Sequence, residues 1–248
     1  MALRRVFVDS IASGVSRVGG ARAHHLHRVA RLTAGEEIEI SDQKQVFSAV
    51  VKSSRPDLVE FDVRRELEAP GQGIAVVLLL SIVKFARFEW AIEKATELGV
   101  QTIVPLVTER SDQRLVAGAI KRGDRWRKIA FEAAQQSRRL APPEIESPVE
   151  FGEALTKYQA PVRLFCDTDS LALNQVLAEH RFDTDARPAA VVIVGPEGGW
   201  SGEERETAAS AGLTSVSLGP LILRTETAAL AITCLTMFAM TRSPEQVT

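Results

Sequence analysis

The chain has 248 residues, of which 45% are hydrophobic and 25% charged, and its formal net charge is −2, so composition excludes a strongly basic or acidic protein and indicates one large or two small globular domains. The N-terminus, MALRRVFVDS, carries charge where a signal peptide needs an apolar core, and no apolar run reaches the roughly 20 residues of a membrane span, so we expect a soluble cytoplasmic protein with no membrane partner. Cys166 and Cys234 are far apart and belong to no Cys/His cluster, which indicates neither a disulfide framework nor a metal site.

The N-terminal part, residues 1–70, is predicted to be rich in β-strands. The runs RRVFVD, EEIEISDQKQVFSAVV and LVEFDVRREL cluster β-forming residues, with turn signals at Asp42-Gln43 and Arg55-Pro56-Asp57. One short helix is predicted over residues 23–31. Short strands of this kind fit a small barrel.

A change of pattern after APGQG (69–73) predicts a second domain over residues 74–245. The run GIAVVLLLSIV is almost continuously apolar, which is typical of a strand buried on both faces. The segment FEWAIEKATELG predicts a helix that ends at Gly99. Strands and helices then alternate as far as TETAALAITCLTMFAM, which predicts an α/β domain with a parallel sheet.

A glycine-rich loop lies in the stretch VVIVGPEGGWSGEERE, residues 191–206. It lacks the lysine of a Walker loop and has Glu197 where the dinucleotide fingerprint has glycine, so a phosphate ligand is disfavoured. Glycine permits close approach of the backbone to another kind of ligand. Ser201 and Glu204 predict a capping box at the start of the next helix. The alternative is a tight turn without a ligand.

A second stretch, SVSLGPLILRTETAALAI (215–232), repeats this arrangement one strand–helix unit later. The helix that it opens is apolar on nearly every side, so we expect it to be buried all round, either inserted into the fold or covered by a partner subunit. Arg224 and Glu226 stand at its start, where charged side chains are costly unless they are paired or used.

Four segments of the second domain resemble one known family: GPEGGWSGEE, LGPLILRTETA, EKATELGVQTIVPLVTERS and RWRKIAFEAAQQS. They are similar to the RsmE family of the SPOUT class, the 16S ribosomal RNA uridine-N3 methyltransferases, and RRVFV and HHLHRVARLTAGEEIEI resemble the RNA-binding barrel of that family. The resemblance covers nearly the whole chain. One departure is EAAQQSRR where the family reads close to EAAEQSGR, so that Gln135 replaces a carboxylate and Arg138 a glycine.

The resemblance implies a PUA-like barrel followed by an α/β domain with a deep C-terminal trefoil knot. It also implies a homodimer, 16S ribosomal RNA of the small subunit as substrate, and S-adenosylmethionine as the methyl donor. Main-chain atoms of the two loops would hold this donor. The donor-binding residues implied are Val194, Gly195, Glu197, Gly198, Gly199, Ser217, Leu218, Gly219, Leu223, Arg224, Thr225 and Ala228.

Four charged residues are candidates for catalysis. Arg224 flanks the donor loops and would position the base or stabilise its developing anion, or else pair with Glu226 or Glu197. Glu226 is a candidate proton acceptor, with a structural first-turn carboxylate as the alternative. Glu109 and Arg110 follow a predicted strand at its carboxyl end, where α/β sites lie, although ordinary salt bridges would also explain them.

Two basic segments, within residues 1–35 and 110–139, predict an RNA-binding surface in a chain of nearly balanced charge. The first segment also contains His24, His25 and His27, which indicate packing or RNA contact rather than a metal site. In the second segment, Trp126 is expected in the core. The RNA-binding candidates are Arg4, Arg5, His24, His25, Arg28, Arg31, Arg114 and Arg138.

Three alternatives to this function stay open. One is an RNA-binding module that does not bind the donor, and another is a nucleotide-dependent enzyme of the doubly wound class. The third is a methyltransferase of the same class that acts on another RNA.

Overall fold

The computed structural model describes residues 4–11, 14–69, 73–179 and 189–241. The chain forms two compact units, the first comprising Met1–Gly71 with Ala134–Pro142 and the second Gln72–Ala133 with Pro143–Thr248. That 134–142 belongs to the first unit was not predicted, because propensity and periodicity are local signals.

The first unit is built on a five-stranded sheet in the order β1-β3-β4-β5-β2. Strand β1 pairs with β3 in parallel and the other pairs are antiparallel. The predicted β-rich character and short helix are confirmed, while β2 was missed because it is short and ends in glycine. The elements are β1 (Arg5–Phe7), β2 (Val15–Gly19), α1 (Gly20–Arg28), β3 (Glu37–Ser41), β4 (Val46–Ser54) and β5 (Leu58–Leu67).

A buried carboxylate joins residues 134–142 to the strands of this unit. Glu39 is 2% exposed and accepts hydrogen bonds from the guanidinium groups of Arg5 and Arg138. The side-chain oxygen of Gln135 accepts from the backbone N–H of Phe7 at 3.0 Å. Arg138 has a φ of 58°, in the left-handed region that favours glycine.

The second unit has a parallel sheet in the order β12-β10-β11-β6-β7-β8, with β9 also paired to β7. The predicted alternation is confirmed, and α3, β8, β9 and α5 were missed because each is short. The elements are β6 (Ala75–Ser81), α2 (Phe85–Leu98), β7 (Thr102–Val107), α3 (Gln113–Ala119), α4 (Gly123–Gln136), β8 (Glu144–Ile145), β9 (Val149–Glu150), α5 (Phe151–Lys157), β10 (Val162–Ala172), α6 (Leu173–Glu179), β11 (Ala189–Val194), α7 (Gly202–Ser210), β12 (Thr214–Ser217) and α8 (Thr225–Met240).

Helices α2 and α8 lie side by side and run in the same direction. At their first turns, Arg87 Nε lies 3.6 Å from Glu226 Oε1. At the other end, a Cβ placed on Gly99 would lie 3.3 Å from Met237 Cε. Gly99 has a φ of 103° and ends α2 as predicted, and Trp126 is fully buried as predicted.

Of the two expectations for α8, burial on every side within the fold of one chain is wrong, and coverage by a partner subunit stays a prediction. Ala228, Ala229 and Ile232 are buried, but Leu235 is 48% and Phe238 56% exposed. The exposed residues of α8, at positions 227, 234, 235 and 238, recur at helical spacing, so they form one stripe. Packing within the chain therefore covers only part of the apolar surface of α8.

Candidate functional site

A cleft opens at the carboxyl ends of three neighbouring parallel strands, β12, β10 and β11. This edge is where ligands bind in open α/β sheets. The cleft has an empty volume of about 700 Å³ that is continuous with solvent, and it lies entirely within the second unit. It contains every predicted donor-binding residue except Gly198 and Arg224: Val194, Gly195, Glu197, Gly199, Ser217, Leu218, Gly219, Leu223, Thr225 and Ala228.

The two loops are shaped by glycine for different reasons. Gly199 and Gly219 have φ values of 70° and 118°, which other residues rarely adopt. At Gly195 a Cβ would come within 2.7 Å of Trp200 Cε2, so the atom in close approach is an indole carbon rather than a ligand atom. Trp200 is buried and its Nε1 donates to the carbonyl oxygen of Cys166 at 2.8 Å, which joins the first loop to β10.

The start of α8 is tied to the first loop by the Thr225 hydroxyl, which donates to the carbonyl oxygen of Gly195 at 3.0 Å. This hydrogen bond holds the two loops of the cleft against each other, because Thr225 ends the second loop and Gly195 opens the first. Both residues line the cleft.

The predicted capping box at the start of α7 is present. Ser201 Oγ accepts from Glu204 N, and Glu204 Oε2 accepts from Ser201 N at 2.9 Å. Glu204 Oε1 also accepts from Glu109 N at 2.9 Å, and Arg110 donates to the carbonyl oxygen of Gly198 at 2.7 Å. Glu109 and Arg110 therefore contact α7 and the glycine-rich loop, although neither lines the cleft.

Arg87, which sequence reasoning missed, lies between the two glutamates of the site. Its guanidinium group pairs with Glu197, and its Nε is 3.6 Å from Glu226. Glu226 is 7% exposed, and its Oε2 has no hydrogen-bond partner among the described residues. The expected alternative for Arg224, pairing with Glu197 or Glu226, is thus met by Arg87 instead.

Arg224 occupies the N-cap position of α8, and its side chain is exposed. It follows Leu223 and precedes Thr225, and both of these line the cleft. Within the described ranges, no hydrogen bond or ion pair engages its guanidinium group. It is thus an available cation beside the cleft.

Strand β10 and helix α7 supply cleft residues that were not predicted. Asp167 and Arg205 form a bidentate ion pair, with N–O distances of 2.7 and 3.1 Å, and the hydrogen bond to Asp167 raises the pKa of Arg205. Burial raises the pKa of the Cys166 thiol to about 11, so it stays protonated at neutral pH. The one sequence signal for these residues is that Cys166, Asp167 and Thr168 end a predicted strand at the same edge of the sheet. The other unpredicted lining residues are Pro196, Trp200, Thr168, Leu221 and Ile222.

The RNA-binding candidates divide into two groups. Arg5 is buried on Glu39, and Arg138 shares that carboxylate, so both hold the first unit together. Arg4 is exposed and donates to the carbonyl oxygen of Ala30 at 2.6 Å. The remaining candidates are exposed: His24, His25, Arg28 and Arg31 in the first unit and Arg114 in the second.

Two negative findings concern the described ranges alone. No group of three or more His, Cys, Asp or Glu side chains has an arrangement that could hold a metal ion. No helix there is both long and apolar enough to cross a membrane.

Comparison with known proteins gives consistent matches over most of the chain. Residues 71–237 match the family described as "RNA methyltransferase domain", and residues 18–63 match "RNA methyltransferase PUA domain". The ribosomal RNA small subunit methyltransferase E of Aquifex aeolicus is 31% identical, covering 85% of this chain and 89% of the relative. The protein of the same name from Synechocystis is 32% identical, covering 92% of this chain and 75% of the relative.

Solved structures agree with these matches. A ribosomal RNA small subunit methyltransferase E from Neisseria gonorrhoeae, bound to S-adenosyl methionine, superimposes with a TM-score of 0.80 at 28% identity, covering 96% of this chain and 98% of that one. A methyltransferase from Legionella pneumophila, in complex with the same cofactor, gives 0.82 at 26% identity, covering 96% and 98%. The predicted fold class, a SPOUT domain preceded by a PUA-like barrel, is confirmed.

Proposed function

Because the chain belongs to the ribosomal RNA small subunit methyltransferase E family, we propose that it transfers a methyl group from S-adenosylmethionine to the N3 of a uridine in 16S ribosomal RNA of the small subunit, in the cytoplasm. The observation that carries this proposal is the cleft at the ends of β10, β11 and β12. Its two predicted loops face one another there, and two structural relatives have the methyl donor bound.

The cleft suits this donor better than a phosphate ester. The glycine-rich loop after β11 and the loop after β12 offer main-chain groups, and Leu218, Leu221 and Leu223 offer apolar contacts for an adenosine. The donor has no phosphate, so a lysine cradle is not needed. When bound, S-adenosylmethionine supplies an electrophilic methyl group.

Arg224 is the residue that we assign to the uracil. Uridine N3 is a weak nucleophile while it keeps its proton, and loss of that proton places negative charge on the flanking carbonyl oxygens. A cation next to these oxygens favours the anion. Arg224 is exposed beside the cleft without a partner among the described residues, which supports this role.

The glutamates of the site are assigned to structure. Glu226 is buried, pairs with Arg87 and does not line the cleft, which favours a first-turn role over proton transfer. Glu109 and Arg110 support α7 and the glycine-rich loop through the contacts described above. The proton of N3 then leaves to water.

RNA binding is assigned to the exposed basic side chains of the two units. His24, His25, Arg28 and Arg31 lie on or next to α1, and Arg4 is also exposed. Arg114, at the start of α3, is the candidate of the second unit. Arg5 and Arg138 are left out because Glu39 already holds them.

A homodimer is proposed from the uncovered stripe of α8. Leu235 and Phe238 are about half exposed, and the neighbouring Cys234 is exposed too. An apolar stripe on a helix is stabilised when a second surface covers it. A second copy of this chain is the partner that family membership favours.

The test is mass spectrometry of nucleosides from small-subunit ribosomal RNA. A strain that lacks this gene should lack one 3-methyluridine, and purified protein with the donor should restore it. Unchanged methyluridine would refute the assignment. Loss of a methyl group from another RNA would favour the alternative substrate, and RNA binding without donor binding would favour the non-catalytic module.

A further inference from the structure

Strand β10 changes its pairing where it enters the cleft. It pairs in register with β11 as far as Cys166, and its register with β12 shifts between Cys166 and Leu171. Residues 167–170 are thereby released from the regular ladder. Irregularities of this kind redirect side chains next to binding sites. Asp167 and Thr168 line the cleft as a result.

Asp167 and Arg205 form a charge pair that has hydrogen-bonding capacity left. Arg205 donates to Asp167 from Nε and one terminal nitrogen, and it donates from its second terminal nitrogen to the carbonyl oxygen of Trp200. A guanidinium has five N–H groups, so two remain after these bonds with described residues. Asp167 accepts from Arg205 and from Thr168 N, which leaves lone pairs on a side chain that is only 10% exposed.

The charges of the cleft lining indicate which part of the methyl donor lies next to Asp167 and Arg205. Among described residues, the charged groups of the lining are Asp167, Glu197 and Arg205, and Glu197 is paired with Arg87. Arg205 is therefore the one cation of that lining. S-adenosylmethionine carries one anionic group, the carboxylate of its amino-acid end, with an ammonium on the same carbon. Opposite charges side by side on the protein complement opposite charges side by side on the ligand.

We propose that Asp167 and Arg205 form the subsite for the zwitterionic amino-acid end of the methyl donor. Arg205 donates to the carboxylate, and Asp167 accepts from the ammonium. This inference rests on the proposed donor and goes beyond it, because it assigns a specificity role to side chains outside the loops that follow β11 and β12. The subsite selects ligands that keep the complete amino-acid end.

The test compares three ligands by calorimetric titration of the full-length protein. S-adenosylhomocysteine keeps the amino-acid end, decarboxylated S-adenosylmethionine keeps only its ammonium, and methylthioadenosine has neither group. Arg205→Met should weaken S-adenosylhomocysteine about tenfold or more, because a charge-assisted hydrogen bond is lost, and should leave the other two ligands within about twofold. Asp167→Asn should weaken the first two ligands and spare methylthioadenosine.

Matched controls separate binding from folding. Arg127→Met removes an exposed Arg–Asp pair from α4, away from the cleft, and should change no affinity. Methylthioadenosine serves as the internal control for each cleft variant, since a distorted cleft would weaken all three ligands.

Two results would overturn the subsite. One is equal weakening of all three ligands, which would mean that the pair only supports the fold. The other is unchanged binding of S-adenosylhomocysteine in both variants. If the unaltered protein still binds the donor and methylates RNA, that result would contradict the subsite but not the proposed function. If the unaltered protein bound neither the donor nor S-adenosylhomocysteine, the subsite and the proposed function would fail together.

Discussion

At the scale of single residues, the charged side chains of the site have separate tasks. Arg87 pairs with Glu197 and lies within 3.6 Å of Glu226, whereas Arg224 remains exposed and available to a substrate. A buried carboxylate is costly unless it is paired, so Glu226 explains the presence of Arg87 on α2. This division is why we propose Arg224 as the cation that acts on the uracil.

We predict that Arg224→Ala lowers the turnover number about a hundredfold or more, the size of effect seen when one stabilising group of a developing anion is removed. Donor affinity should stay near that of the unaltered protein, since the side chain does not line the cleft. Arg224→Lys should keep part of the rate. Single-turnover methylation with a parallel donor titration measures both quantities, and full activity of the alanine variant would remove Arg224 from the mechanism.

Arg138 allows a second prediction, because an ion pair and an unfavourable backbone conformation oppose each other there. Its φ of 58° favours glycine, while its side chain binds Glu39. Arg138→Ala and Arg138→Gly both lose the ion pair, but the glycine variant should be more stable than the alanine variant by about 1 kcal/mol. Urea unfolding measures the difference. Equal or greater stability of the alanine variant would contradict this reading of the backbone.

At the scale of elements, α7 connects the glycine-rich loop to the end of β7. Glu204 closes the capping box and also accepts from Glu109 N, so one carboxylate serves two segments. Glu204 is only 7% exposed, so water cannot readily replace a hydrogen-bond partner that this site loses.

Glu204→Ala is expected to lower the free energy of unfolding by about 1–2 kcal/mol, as the loss of a helix cap does. Glu203→Ala is the matched control, because Glu203 lies in the same first turn but is exposed and has only the helix-dipole effect. Thermal unfolding of both variants tests the prediction, and equal losses would show that the capping box contributes little.

The same elements show which features the sequence could predict. The longer strands, the capping box and the two loops were predictable, because hydrophobic runs, glycine, proline and capping residues are local signals. Arg87 was missed because it lies 110 positions from Glu197, and Asp167 because no local pattern marks the shift in β10. The place of 134–142 in the first unit likewise depends on the distant Glu39.

At the scale of the whole molecule, the exposed stripe of α8 is the feature that a single chain leaves unexplained. The apolar composition of α8 predicted burial on every side, either within the fold or under a partner subunit, and the exposed Leu235 and Phe238 exclude the first alternative. A second copy over this stripe would remove the discrepancy.

Changing both Leu235 and Phe238 to glutamate should convert the protein to a monomer, because charged groups would be buried at the interface without partners. Sedimentation velocity measures the mass. Ile120→Glu is the control, since Ile120 is 70% exposed but lies outside α8, and this variant should remain dimeric. A double variant that stays dimeric would show that the two copies meet elsewhere.

The central claim concerns the ligand of the cleft formed by the loops after β11 and β12. Calorimetric titration of the purified protein with S-adenosylmethionine, and separately with ATP and with NAD, tests it most directly. We expect one donor molecule bound per chain and no heat of binding with either phosphate ester. Saturable binding of ATP or NAD, with none of S-adenosylmethionine, would contradict the claim.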